Sequence, residues 1–128
     1  MSTVLIVDDA ELFRAALAAA VKEAGFEVVA TAADAMAAVS LAREHQPDLI
    51  LLDVLMPGMS GLEVVPTIVA EAPKSAVVLL TSSESSEDLL AAVKAGARGY
   101  LTKETPLDRL VSALRDIEAG GAATSPEM

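Results

Sequence analysis

No cysteine occurs among the 128 residues, so a disulfide framework, a thiolate zinc site and a thiol nucleophile are all excluded. Oxygen and nitrogen chemistry remains. Aromatic residues are nearly as scarce: there is no tryptophan, one tyrosine and two phenylalanines in a chain that is 53% hydrophobic. A core must therefore be built from alanine, valine and leucine, which suits helices packed on a buried sheet. Long apolar runs are missing too. The run from Val4 to Val7 behind Met1-Ser2-Thr3 is too short for a signal peptide or a membrane span and ends in two aspartates. A cytoplasmic protein without membrane association is the expectation. Basic residues are few, nine Lys and Arg against nineteen Asp and Glu. The formal net charge of -10 opposes phosphate backbones, so direct nucleic-acid binding by this chain is not expected. Most of the acidity has a bland account, a solvated surface that maintains solubility.

The length fits one domain with one hydrophobic centre and needs no metal or disulfide to hold it. Short runs rich in Val, Leu and Ile recur at Val4 to Val7, Val28 to Thr31, Leu49 to Leu52, Val77 to Leu80 and around Tyr100 and Leu101. Each is too short for a helix and reads as a strand. Between them apolar residues take helical spacing: Phe13, Leu17, Ala20, Val21 and Ala24; Leu62, Val65, Val69 and Ala72; and Leu107, Leu110, Val111, Leu114 and Ile117. Gly25 and Gly96 read as helix stops, Pro47 and Pro73 break the chain before strands three and four, and Ser85 with Asp88 forms a capping box. The domain is expected to cover residues 1–119, with residues 120–128 a tail of linker composition, Gly120-Gly121-Ala122-Ala123-Thr124-Ser125-Pro126.

Strict alternation of strand and helix implies a parallel sheet covered on both faces, with right-handed crossovers that bring every strand's carboxyl end to one edge. Strand one ends in Asp8-Asp9, strand three in Asp53, strand four in Thr81-Ser82-Ser83, and Lys103 closely follows strand five. In open α/β sheets that edge carries the ligand crevice, where the strand order reverses. In a flavodoxin-like order, 2-1-3-4-5, the reversal falls between strands one and three, where the aspartates converge. Clustered carboxylates repel and need protons or a cation to coexist; oxygen-only ligands with room for water suit Mg²⁺. A metal, a lysine and a hydroxyl around a carboxylate nucleophile are a sufficient set for phosphoryl transfer to an aspartate. Each residue alone has a duller account. Asp8-Asp9 could cap a helix, Asp53 could open a turn at Met56-Pro57-Gly58, Thr81 could be a loop residue, and a lone lysine is usually a solvated charge. The conjunction at strand ends one, three, four and five is what argues for a site.

The motifs Val4-Leu5-Ile6-Val7-Asp8-Asp9, Asp53-Val54-Leu55-Met56-Pro57-Gly58-Met59-Ser60-Gly61, Leu80-Thr81-Ser82 and Gly99-Tyr100-Leu101-Thr102-Lys103 together resemble the receiver domains of two-component response regulators. The resemblance runs from Val4 to about Ala119. It implies a doubly wound five-stranded parallel sheet with five helices, and a switch rather than an enzyme. It implies that Asp53 accepts a phosphoryl group from a sensor histidine kinase. It implies that Asp9, Asp53 and the main-chain carbonyl of Leu55 bind Mg²⁺ directly, that Asp8 acts through a bound water, and that Thr81 and Lys103 hold phosphoryl oxygens. By the same resemblance Thr81 turns inward on phosphorylation and Tyr100 moves from exposed to buried, altering the face made by helix four, strand five and helix five. Physically, a new dianion recruits a hydroxyl donor and vacates space that a ring can fill. Against this, Tyr100 could simply be a static, half-buried core residue.

Glu104 follows Lys103 where many receivers carry proline, so no cis peptide is expected there. The Gly-Tyr-Leu-Thr-Lys-Glu form and the tail resemble regulators bearing a carboxyl-terminal helix-turn-helix of the LuxR or NarL kind. Such a domain would control transcription and is absent from these residues; a phosphorylation-dependent homodimer is also compatible. Apolar Leu55 stands two positions after the acceptor and is expected to shield an acyl phosphate from water. Rival readings are weaker. A receiver used only as a binding module is opposed by the filled acceptor, metal and switch positions. A haloacid-dehalogenase type enzyme wants a second aspartate where Leu55 stands, and in a flavodoxin-like nucleotide carrier Asp8-Asp9 would repel the phosphate. His45, in a polar stretch, has no assigned role.

Overall fold

The computed structural model describes residues 2–56, 58–82, 86–120 and 123–124. The elements alternate: β1 Thr3–Val7, α1 Glu11–Glu23, β2 Glu27–Ala32, α2 Ala35–His45, β3 Leu49–Asp53, α3 Gly61–Glu71, β4 Ala76–Thr81, α4 Ser86–Ala95, β5 Gly99–Thr102, α5 Leu107–Glu118 and β6 Ala123–Thr124. All strand pairs are parallel, in the order β2-β1-β3-β4-β5-β6. The first five strands take the expected order. The sixth lies in the stretch read as linker: Ala123 and Thr124 pair with Gly99 and Tyr100. Without it β5 would be an edge strand with unpaired N–H and C=O groups, which any extended segment passing alongside can satisfy. Two residues without apolar alternation give no such signal in a sequence.

Successive strand residues face opposite sides of the sheet, and the core divides accordingly. Leu5, Val7, Ile50, Leu52, Val77 and Leu79 pack with Ala38 and Ala42 of α2 and Val64, Val65 and Ile68 of α3. Val4, Ile6, Leu49, Leu51, Val78 and Leu80 pack with Leu17 and Val21 of α1 and with Leu110, Leu114 and Ile117 of α5. The three central strands are buried along their length, except that Thr3 at the start of β1 is half-buried. This is why they read as continuous apolar runs.

Helix ends follow local chemistry. Gly25 and Gly96 take positive φ, 99° and 110°, as stops read from the sequence should. Asp34 caps α2 by accepting from the Ala37 amide, and Ser60 caps α3 by accepting from the Leu62 amide. α2 ends on Gln46 in the left-handed region, φ 45°; its side-chain amide donates to the carbonyls of Ala42, Arg43 and Glu71. With the Arg43–Glu71 ion pair at 3.0 Å, this ties the end of α2 to the end of α3. Ser85 of the expected capping box, with Ser83, Pro57 and the tail residues 121–122 and 125–128, lies outside the described residues. Among the described residues no peptide bond is cis, and no helix is long and apolar enough to cross a membrane.

Candidate functional site

The parallel sheet brings four residues to one edge. Asp8 directly follows β1, Asp53 is the last residue of β3, Thr81 the last of β4, and Lys103 directly follows β5. Asp8, Asp53 and Thr81 are buried, and Asp9 is exposed. One oxygen each from Asp8, Asp9 and Asp53 can be chosen so that all lie within 4.8 Å of one another. The Lys103 Nζ stands 2.8 Å from Oδ2 of Asp8 and 3.0 Å from Oδ2 of Asp53, bridging β1 and β3 from the end of β5.

Backbone contacts set these positions. The Val54 amide donates to the Leu80 carbonyl at 2.8 Å, and the Lys103 amide donates to the Thr81 carbonyl at 2.7 Å, so the ends of β3, β4 and β5 are laced together. The Leu55 amide donates to Oδ1 of Asp53 at 3.1 Å and orients the carboxylate. Leu55's side chain is 63% exposed. Asp8 is both a site residue and a helix anchor. Its Oδ1 accepts from the Ala10 amide at 2.8 Å, and its main-chain carbonyl accepts from Nη1 of Arg14 at 2.6 Å. Asp8 does not cap α1 as the duller account had it, since the N-cap is Ala10 with no side-chain cap hydrogen bond, but it fastens the residue at which the helix begins.

Burial raises the Asp53 carboxyl to about 6, helped by the neighbouring charge of Asp8; the hydrogen bond and charge of Lys103 and the Leu55 amide pull the other way. Burial alone would lower the Lys103 ammonium, but its hydrogen bonds and charge pairing with Asp8 and Asp53 prevail, and its pKa is raised. At neutral pH Asp53 is therefore largely ionised and Lys103 keeps its charge. The three carboxylates and one ammonium leave two negative charges in surplus.

Tyr100 is not part of this cluster. It is buried on β5 and lines a cavity of about 170 Å³ with Leu89, Ala92 and Val93 of α4. Tyr100 is thus already buried without a phosphoryl group, neither half-buried as the static reading had it nor exposed as the switch reading expects before phosphorylation. His45, at the end of α2, is exposed. Two residues bear on the site without a role read from the sequence: Gly61, which closes the motif after Asp53, and Phe13. Gly61 opens α3 directly over Asp53: a Cβ there would overlap the Asp53 carbonyl oxygen and stand 3.0 Å from Cα of Val54. Phe13, read as a core residue of α1, has its ring 4.9 Å from Nζ of Lys103. A close approach of backbones and a ring beneath a distant lysine are tertiary facts that no local pattern announces.

Residues 4–115 match the family model described as response regulator receiver domain. The chain is 36% identical over 129 residues to the response regulator GacA of Pseudomonas aeruginosa, covering 100% of this chain and 60% of that protein. It superposes on the crystal structure of a LuxR-family two-component response regulator from an Aurantimonas species with a TM-score of 0.94 and 34% identity, covering 99% of this chain and 91% of that one. A Burkholderia pseudomallei response regulator, solved with a phosphorylated aspartic acid, calcium ion and citrate, superposes with a TM-score of 0.83 and 27% identity over 94% of this chain and 70% of that one. The chain spans 48% to 60% of the length of the transcriptional regulators it matches. With its fold, its acidic edge and these likenesses in agreement, the chain belongs to the response-regulator receiver-domain family of two-component signalling.

Proposed function

We propose that this receiver domain, residues 1–119, is a cytoplasmic phosphoryl switch that accepts a phosphoryl group on Asp53 from a sensor histidine kinase. The observation that carries the reading is Lys103, which reaches from the end of β5 to both Asp8 and Asp53 beside the third carboxylate, Asp9. In the step itself an Asp53 oxygen attacks phosphorus, the phosphorus–nitrogen bond of the phosphohistidine breaks, and its electron pair returns to the imidazole. The Leu55 amide orients the carboxylate for attack. Lys103 and Thr81 hold phosphoryl oxygens through an ammonium and a hydroxyl.

The donor set fits a divalent cation. It is made of oxygens only, two of its three carboxylates are buried, and its surplus of two negative charges equals what such an ion supplies. Asp9, Asp53 and the main-chain carbonyl of Leu55 would hold Mg²⁺ directly, with Asp8 acting through water. When bound, the ion would offset the charge that develops on the phosphoryl oxygens.

The switch joins Thr81 to Tyr100 and is read on the face of α4, β5 and α5. Leu90 and Val93 of α4 are 55% and 59% exposed, an apolar surface available to a partner. A second phosphorylated copy is one such partner. In a longer protein a helix-turn-helix domain would be another, and transcription would be the output; the acidic receiver itself does not bind nucleic acid. The test is intact mass after incubation with acetyl phosphate, with and without Mg²⁺, for the wild type and Asp53→Ala. One phosphoryl adduct that requires both the ion and Asp53 is expected. An adduct that survives in Asp53→Ala would refute the assignment.

A further inference from the structure

Lys103 is held from three sides, and only two of them are carboxylates. Its Nζ lies 2.8 Å from Asp8 and 3.0 Å from Asp53. On the third side the same nitrogen lies 4.9 Å from the centroid of the Phe13 ring. An ammonium at that distance over an aromatic face is attracted by the ring's quadrupole, and more strongly where water is kept away. The Lys103 side chain is only 21% exposed. In a chain with two phenylalanines, one of them lies against the site lysine.

The position of the ring is itself controlled. Phe13 is in the first turn of α1, whose start is fastened to Asp8 through the Ala10 amide and the Arg14 guanidinium. The ring is half-buried and packs against the core layer between the sheet and α1 and α5. Asp8 therefore fixes the ammonium directly and, through α1, the ring beside it.

We propose that Phe13 is a positioning residue for Lys103, its ring keeping the ammonium at the carboxylate hollow when a divalent cation has claimed the carboxylates and before phosphoryl oxygens take hold of it. The inference rests on the reading of Asp53 as phosphoacceptor. Without a cation, Asp8 and Asp53 suffice to hold the lysine. Once their charge is offset, the pull on Lys103 falls, and a flexible four-carbon stem can carry its head into water. The ring bears no net charge for the cation to offset, so its attraction persists through that change. Leucine would occupy similar core space without a quadrupole; tyrosine would keep the aromatic face.

Adduct formation from acetyl phosphate at saturating Mg²⁺ is compared for the wild type, Phe13→Leu and Phe13→Tyr. Alongside it are measured thermal stability, Mg²⁺ affinity and the ring-current shift of the Lys103 ε-methylene protons. Phe13→Leu should slow phosphorylation by about threefold or more, leave Mg²⁺ affinity within about twofold and abolish the ring-current shift. Phe13→Tyr should restore both the rate and the shift, which a purely structural contribution from leucine-sized packing would not require. A Leu variant as fast as the wild type, or a Tyr variant as slow as Leu, overturns the role of Phe13 and leaves Asp53 as acceptor. A wild type that forms no adduct removes the acceptor reading, and the role of Phe13 with it.

Discussion

As the proposed acceptor, Asp53 stands where two demands conflict, since a nucleophile must be charged and a strand end must be dry. Its carboxyl is raised to about 6 in the folded chain, mainly by burial, against 3.8 as the ordinary value. The folded state therefore binds the proton more tightly than the unfolded state. The contribution of Asp53 to stability is fully present below about pH 4 and is lost as pH rises through about 6. Asp53→Asn should flatten this loss and stabilise the metal-free protein at neutral pH by roughly 1 to 3 kcal/mol, the span of one to two pKa units. Urea denaturation of both proteins across this pH range checks it, and parallel stability curves would contradict it. Gly61 poses a purely steric question. Its neighbour is the backbone of Asp53, which cannot rotate aside, so Gly61→Ala should cost about 2 kcal/mol and slow phosphorylation together. Leu55 is largely exposed beside the proposed acceptor, and if it shields the product, Leu55→Asn should speed phosphate loss from Asp53; an unchanged or slower rate would remove the shielding idea.

Among the elements, α2 and α3 show how local chemistry sets boundaries. Asp34 satisfies one otherwise free amide at the start of α2, so Asp34→Ala should lower stability by about 1 kcal/mol in chemical denaturation, with the site's chemistry unchanged. The start of that helix could have been read from Asp34, but its end could not. Gln46 adopts a left-handed conformation usually reserved for glycine or asparagine, repaid by three side-chain hydrogen bonds, one of them to α3. The strands were legible because burial on both faces forces continuous apolar runs, and their carboxyl ends then named Asp8, Asp53, Thr81 and Lys103. What escaped were contacts between segments far apart in sequence. Phe13 has the spacing of an ordinary core residue, and only the closed fold brings it to Lys103, ninety positions away.

At the scale of the whole molecule, the net charge of -10 is partly concentrated in one hollow. A ligand that binds only the folded state stabilises it by mass action, about 2.7 kcal/mol at a hundred times its dissociation constant. Mg²⁺ should therefore raise the melting temperature of the wild type well beyond NaCl of equal ionic strength, and the difference should shrink in Asp9→Asn. Thermal melts in the two salts test this; equal shifts would mean that the ion merely screens surface charge.

The sixth strand gives the molecule a direction of exit. Because β6 runs parallel to β5, the chain reaches Thr124 travelling toward the edge that carries Asp53 and Lys103. The described chain at Thr124 thus stands beside Tyr100 and points to the side of the molecule where charge would change. In a longer protein, a module tethered close to β6 would dwell near that edge at an effective concentration of the order of millimolar. Weak contacts would then be enough to hold it, and small changes in them enough to let it go.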